Sequence, residues 1–165
     1  MQAQGEFALI EHKLKPALEL SGQPVKRGTM AHEHIVYMMM ADSAALVRDE
    51  AALRRYAPVL EELARRDDHR PYLAIAHRAW GIAHRLAGEC DAAETRLAQA
   101  IEVFTELESH WQLGRTLVEM GELELARSNA VAARDYYSQA LATFGAIQAR
   151  PDAARTRAML ESLGE

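Results

Sequence analysis

Seven histidines are the residues of this chain that could bind a metal ion. His77 and His84 lie seven residues apart, which places both on one face of a helix. His32 and His34 flank Glu33 and form a second short group. Zinc-binding helices place their ligands four residues apart and have a third ligand nearby, and neither group does this. We therefore expect His77 and His84 to be packing residues between helices; the alternatives are a metal site and a pH sensor.

The single cysteine, Cys90, is the candidate nucleophile. It lies near the predicted start of a helix, where the helix dipole can lower the pKa of a thiol. No lysine is close to it in sequence, and the residue forty positions further on is Ala130. The chain also has no phosphate-binding loop, nucleophile elbow, HExxH motif or dinucleotide fingerprint. We therefore interpret Cys90 as a bystander and predict a protein that is not an enzyme and that binds no cofactor or metal.

Length and composition are those of one folded domain: 165 residues, 49% hydrophobic and 26% charged. The net charge of −5 argues against direct binding of nucleic acid, because nucleic-acid-binding surfaces are usually basic. No apolar run reaches the roughly 18 residues that a membrane-spanning helix needs. A lone cysteine cannot form an internal disulfide. We expect a cytoplasmic protein without a membrane partner.

An internal repeat of forty residues reveals the elements that must position these side chains. Residues 70–109 align without a gap on residues 110–149, with seven identical positions. The identical pairs are Leu73/Leu113, Gly81/Gly121, Ala92/Ala132, Ala93/Ala133, Gln99/Gln139, Ala100/Ala140 and Phe104/Phe144. The same register extends to residues 30–69 and 150–165. We predict a single domain with repeats at 30–69, 70–109 and 110–149, an N-terminal helix and connector at 1–29, and a capping helix at 150–165.

Each repeat is predicted to form two helices, because its apolar residues recur at steps of three and four. Gly88 is expected to end the first helix of the second repeat. Asp91 and Glu94 are typical of a capping box that opens the next helix, and Asn129 is the expected N-cap one repeat later. A single helical hairpin cannot bury its apolar face, so the pairs must stack on one another.

The small residues of the repeats resemble those of the tetratricopeptide repeat. Gly81 and Gly121 lie where the first helix of a pair crosses the second, and the second helix carries Ala93 and Ala100 seven residues apart. The forty-residue period exceeds the family's roughly 34 and is similar to that of arrays in bacterial MalT-like transcription activators and multidomain signalling ATPases. The resemblance implies an all-α fold, a right-handed α-solenoid of stacked antiparallel helix pairs.

The resemblance implies two functions. The first is a non-catalytic protein–protein interaction module that binds a peptide or partner segment in its concave groove. The alternative is a sensory or regulatory segment of a larger bacterial transcription regulator or signalling ATPase, whose output domain lies elsewhere. The N-terminal repeat is degenerate and carries the run Met38 to Met40, so its apolar end also suggests a homodimer.

The repeat register predicts which residues share the concave face. Four arginines gather there in an otherwise acidic protein, and guanidinium groups suit bidentate capture of carboxylates. The predicted groove consists of Met38, Ile75, Arg78, Arg85, Arg115, Glu122, Leu125 and Arg155. Its predicted partner is a protein or peptide with an acidic or C-terminal segment. The alternative is intramolecular pairing, in which Arg115 reaches Glu119 and Glu122 on its own helix.

Overall fold

The computed structural model describes residues 9, 12–13 and 30–164. Residues 30–164 form seven α-helices, residues 9 and 12–13 are also helical, and none of the described residues belongs to a β-strand. The helices are α1 (Met30–Leu46), α2 (Glu50–Arg66), α3 (Arg70–Leu86), α4 (Cys90–Glu106), α5 (His110–Ala126), α6 (Ala130–Ala146) and α7 (Arg150–Ser162). Successive helices begin twenty residues apart, so one forty-residue period spans one pair. The N-terminal helix and connector predicted for residues 1–29 lie outside the described residues apart from 9 and 12–13.

Three residues join each helix to the next, and the middle one has a positive φ in every linker. These residues are Arg48, Asp68, Gly88, Glu108, Ser128 and Gln148, with φ between 50° and 78°. The N–H groups of Gly88 and Glu89 donate to carbonyl oxygens of the last turn of α3, which ends the helix. The predicted role of Gly88 is confirmed. The other linkers use residues with a side chain, for which this conformation costs about 1–2 kcal/mol.

The predicted N-caps have opposite outcomes. Asn129 is confirmed, because its side chain accepts a hydrogen bond from the backbone N–H three residues on, at 3.3 Å. The capping box of Asp91 and Glu94 is wrong. Helix α4 begins one residue before Asp91 without a side-chain cap, so Asp91 already lies in the first turn. Both carboxylates instead pair with Arg127, in the linker between α5 and α6.

The paired helices cross at the predicted glycines. A Cβ atom added to Gly121 would lie 2.4 Å from Cε1 of Tyr137, and one added to Gly81 would lie 2.6 Å from Cγ of Leu97. Tyr137 and Leu97 are both fully buried. The backbones therefore approach so closely that even an alanine would have to displace the facing side chain.

The helices pack as a helical repeat. Each helix contacts the next one along the chain, and the first helices of neighbouring pairs also contact each other, α1 with α3 and α3 with α5. The helices α1, α3, α5 and α7 are called the first helices below. Within the described ranges, no helix combines the length and apolar character that crossing a membrane requires.

Candidate functional site

A cavity of about 290 Å³ lies among the first helices. Its lining comes from α1 with its linker, from α3, α5 and α7, and from one residue of α6. The lining residues are Ala45, Leu46, Arg48, Arg78, Ile82, Arg115, Val118, Glu119, Phe144, Asp152, Arg155, Thr156 and Met159. Arg115 and Arg155, forty residues apart, meet here because the repeat places equivalent positions side by side.

Three of the eight residues predicted for the groove line this cavity: Arg78, Arg115 and Arg155. Arg85 lies beside it, since its guanidinium donates to the lining residue Glu119 at 3.1 Å. The structure therefore places close together the arginines that the repeat register assigned to one face. A role for them in binding a partner stays a prediction.

The other four predicted residues lie outside the lining. Ile75 is buried in the hydrophobic core. Met38 is half-buried against the core, and Leu125 is also half-buried. Glu122 accepts a hydrogen bond from the Tyr137 hydroxyl at 2.8 Å. A shared position in the repeat sets the level of a residue along the helix, whereas its exposure depends on how many neighbouring helices cover it.

Several lining residues were not predicted from the sequence. Arg48 belongs to a linker whose left-handed conformation has no sequence signal, and Phe144 was identified only as the repeat equivalent of Phe104. Thr156 and Met159 belong to α7, which was interpreted as a cap. The forty-residue period could have identified Thr156 and Met159, because it makes α7 the first helix of the next pair after α5 and α6.

Asp42 on α1 ties three first helices together. Its Oδ1 accepts from Arg78 on α3 at 3.1 Å, and its Oδ2 accepts from Arg115 on α5 at 2.9 Å. Burial alone would raise the pKa of Asp42, but the attraction and hydrogen bonds of the two guanidinium groups outweigh it and hold the pKa below its usual value. Asp42 is therefore a carboxylate at neutral pH.

Arg78 is the most enclosed charge of the face, with only 2% of the residue exposed. It also donates to Oε1 of Gln112 at 2.6 Å and lies over the ring of Phe104, 5.7 Å from its centroid. Burial, and then repulsion from Arg115, lower the pKa of Arg78 to about 10, although Asp42 opposes this shift. The side chain therefore stays protonated at neutral pH.

Glu119 on α5 is the second carboxylate that pairs with arginines of other elements, Arg48 in the linker after α1 and Arg85 on α3. Nη1 of Arg48 donates to both of its oxygens at 2.8 Å, and Nη2 of Arg85 donates to its Oε2 at 3.1 Å. Burial would lower the pKa of Arg48, but attraction to Glu119 raises it overall. The alternative of intramolecular pairing is confirmed for Arg115, but its partner is Asp42 on α1 and not Glu119 or Glu122 on its own helix. Glu119 pairs instead with Arg48 and Arg85.

A third group connects α5 and α7 at the cavity. The indole Nε1 of Trp111 donates to Oδ2 of Asp152 at 3.1 Å, and Arg155 donates to Oδ1 of the same carboxylate at 2.6 Å. The guanidinium of Arg115 lies over the Trp111 ring, 4.7 Å from its centroid. Arg115 and Arg155 are thus linked through one indole and one carboxylate.

His77 and His84 do not line this cavity. His77 is buried and its Nδ1 lies 2.9 Å from Nη1 of Arg96 on α4. Burial and the charge of Arg96 lower the pKa of His77, against the effect of Glu61. His84 contacts Glu89 and stacks on Trp80. Across the part of the chain that the structure describes, no three His, Cys, Asp or Glu side chains are grouped to hold a metal ion.

No family model matches the sequence, and no curated protein matches it either. The tetratricopeptide resemblance therefore stays a prediction.

Proposed function

We propose that this chain is a non-catalytic protein-interaction module, a right-handed α-solenoid of the tetratricopeptide type, that binds a segment of a partner protein on the face of its first helices. The cavity is the observation that carries this proposal. Concave surfaces built from repeated helices are the usual binding surfaces of such folds.

The chemistry of the lining supports binding rather than catalysis. Apolar side chains form one part of it, with Leu46, Val118 and Phe144 among them, and arginine–carboxylate pairs form the rest. Apolar surface with a few fixed polar groups is typical of ligand sites. Leu46 is 68% exposed at the end of α1, so an apolar side chain stands uncovered at the cavity.

The test is selection of peptides from a random-sequence display library on the immobilised protein. Val118→Arg places a long side chain in the cavity, and Val131→Arg makes the same change at a residue that is 75% exposed on α6. We expect peptides that bind the wild type and the Val131→Arg variant but lose binding to Val118→Arg. Circular dichroism verifies that both variants keep their helical content.

Two results would contradict the proposal. One is a selection that enriches no peptide above an unrelated helical protein used as bait. The other is a set of peptides that bind the Val118→Arg variant as tightly as the wild type, which would place the binding surface elsewhere.

A further inference from the structure

Three of the four arginines that line the cavity have most of their hydrogen-bond donors unused. Each guanidinium has five N–H donors. Arg48 uses Nη1 on Glu119, Arg115 uses Nη1 on Asp42, and Arg155 uses Nη2 on Asp152. Their other nitrogens donate to no described residue. A planar guanidinium that binds one carboxylate through one nitrogen still presents a second edge to another.

The cavity also carries an excess of positive charge. Its lining holds four arginines and two carboxylates, Glu119 and Asp152, in a chain whose net charge is −5. Asp42 compensates Arg78 and one edge of Arg115 from outside the lining. Arg155, by contrast, is 69% exposed at its side chain and pairs with Asp152 alone among the described residues. The positive charge is therefore least compensated where α7 meets the cavity.

The apolar part of the lining lies in the same cavity as these arginines. Val118 and Phe144 come from α5 and α6, and Met159 lies four residues after Arg155, on the same side of α7. A volume of about 290 Å³ is at the lower limit of small-ligand pockets. It suits one large side chain and a neighbouring charged group rather than an entire folded surface.

We infer that the cavity binds an internal acidic–apolar segment of a partner protein, in which a Leu-like side chain enters beside Val118 and Phe144 and an adjacent Asp or Glu carboxylate is held by Arg115 and Arg155. This inference rests on the proposed function and adds the chemistry of the partner. The carboxylate binds to the free edges of the two guanidinium groups, so the ties to Asp42 and Asp152 remain in place.

Trp111 reports on this site directly. It lies under Arg115 and donates to Asp152, the partner of Arg155, so a carboxylate bound to both arginines changes the surroundings of the indole. The chain has only one other tryptophan, Trp80, which donates to Glu61 on α2. A fluorescence change that is absent in Trp111→Phe therefore comes from the cavity.

The experiment titrates the full chain with two probes, acetyl-Leu-Glu-Leu-Glu-amide and acetyl-Leu-Gln-Leu-Gln-amide. The amidated ends restrict the carboxylates to side chains. We expect the Glu peptide to bind with a Kd on the order of 1 mM and the Gln peptide to bind at least about tenfold more weakly, as the loss of a charge-assisted hydrogen bond implies. A free-acid peptide, acetyl-Leu-Gln-Leu-Gln, tests the C-terminal carboxylate as the other source.

A matched pair of variants locates the carboxylate. Arg155→Gln should weaken the Glu peptide about tenfold or more. Arg157→Gln removes the same charge from an exposed position two residues along α7 and should change the Kd less than about twofold. Both positions are exposed, so neither change is expected to disturb the fold.

Equal binding of the Glu and Gln peptides, equal effects of the two arginine variants, or no binding of the Glu peptide at millimolar concentration would each overturn the inference. So would tighter binding of the free-acid Gln peptide than of the Glu peptide. If library selection yields neutral peptides that are sensitive to Val118→Arg, the proposed function stands and this inference falls. If selection yields nothing, the proposed function itself fails.

Discussion

At the scale of single residues, two carboxylates on the face of the first helices each form salt bridges with two arginines. Asp42 lies between Arg78 and Arg115, and Glu119 lies between Arg48 and Arg85. Buried ion pairs add little stability compared with apolar packing, but removing one partner leaves an uncompensated charge. We infer that these ion pairs fix the positions of α1, α3 and α5 relative to one another.

Asp42→Asn should lower the free energy of unfolding by about 3 kcal/mol at neutral pH, because Arg78 then remains buried without a counter-charge. Urea denaturation measures this loss. Asp135→Asn, at an exposed position on α6, should change stability by less than about 0.5 kcal/mol. Equal effects of the two substitutions would mean that Asp42 does not stabilise the fold.

The same substitution predicts a pH dependence. The folded pKa of Asp42 lies below its ordinary value of 3.8, so ionised Asp42 stabilises the fold above about pH 4. This contribution disappears as the pH falls through the lower folded pKa. The stability difference between wild type and Asp42→Asn should therefore be full at neutral pH and shrink below about pH 4. A difference that stays constant into acid would contradict the assignment.

Gly121→Ala tests the close crossing of α5 and α6. The added Cβ would lie 2.4 Å from the buried ring of Tyr137. We therefore expect the free energy of unfolding, measured by thermal or urea denaturation, to fall by about 1–3 kcal/mol. Gly145→Ala is the matched control, because a Cβ there has no heavy atom within 4 Å. It should be neutral or stabilise by up to about 1 kcal/mol. A neutral Gly121→Ala would place the crossing elsewhere.

At the scale of elements, the helices were predictable, whereas the linkers were predictable only where they carry a typical capping residue, as Gly88 and Asn129 do. Apolar spacing predicted two helices in the repeat at residues 70–109, and the structure has α3 (Arg70–Leu86) and α4 (Cys90–Glu106) there. The linkers carry a left-handed residue that is Arg48 in one case and Gln148 in another. Neither residue type marks such a conformation, which follows from the fixed twenty-residue spacing of the helices. Arg48 was therefore absent from the predicted groove.

Two substitutions at equivalent linker positions test this interpretation. Gly88 has a φ of 78°, and a Cβ atom added there would meet no heavy atom within 4 Å. Gly88→Ala should therefore lower the free energy of unfolding by about 1 kcal/mol through backbone strain alone. Gln148→Gly should stabilise by about 0.5 kcal/mol, because it removes that strain. Urea denaturation of both variants gives the signs, and a stabilising Gly88→Ala would contradict the linker geometry.

At the scale of the whole molecule, ion pairs on the face of the first helices connect the first repeat to the third. Asp42 reaches Arg115 and Arg48 reaches Glu119, over separations of 73 and 71 residues. The sequence period predicted that equivalent residues line up, and three of the arginines that it grouped, Arg78, Arg115 and Arg155, line one cavity. It could not predict these pairings, because they depend on how closely the helices approach one another in space.

The most direct test of the proposed binding face is a methyl-resolved NMR titration of the wild-type chain with a peptide from the library selection. We expect the methyl resonances of the cavity residues Leu46, Val118 and Met159 to shift on binding. The methyl resonances of Val131 on α6 should stay in place. Shifts at Val131 with unchanged cavity resonances would contradict the assignment of the first helices as the binding face.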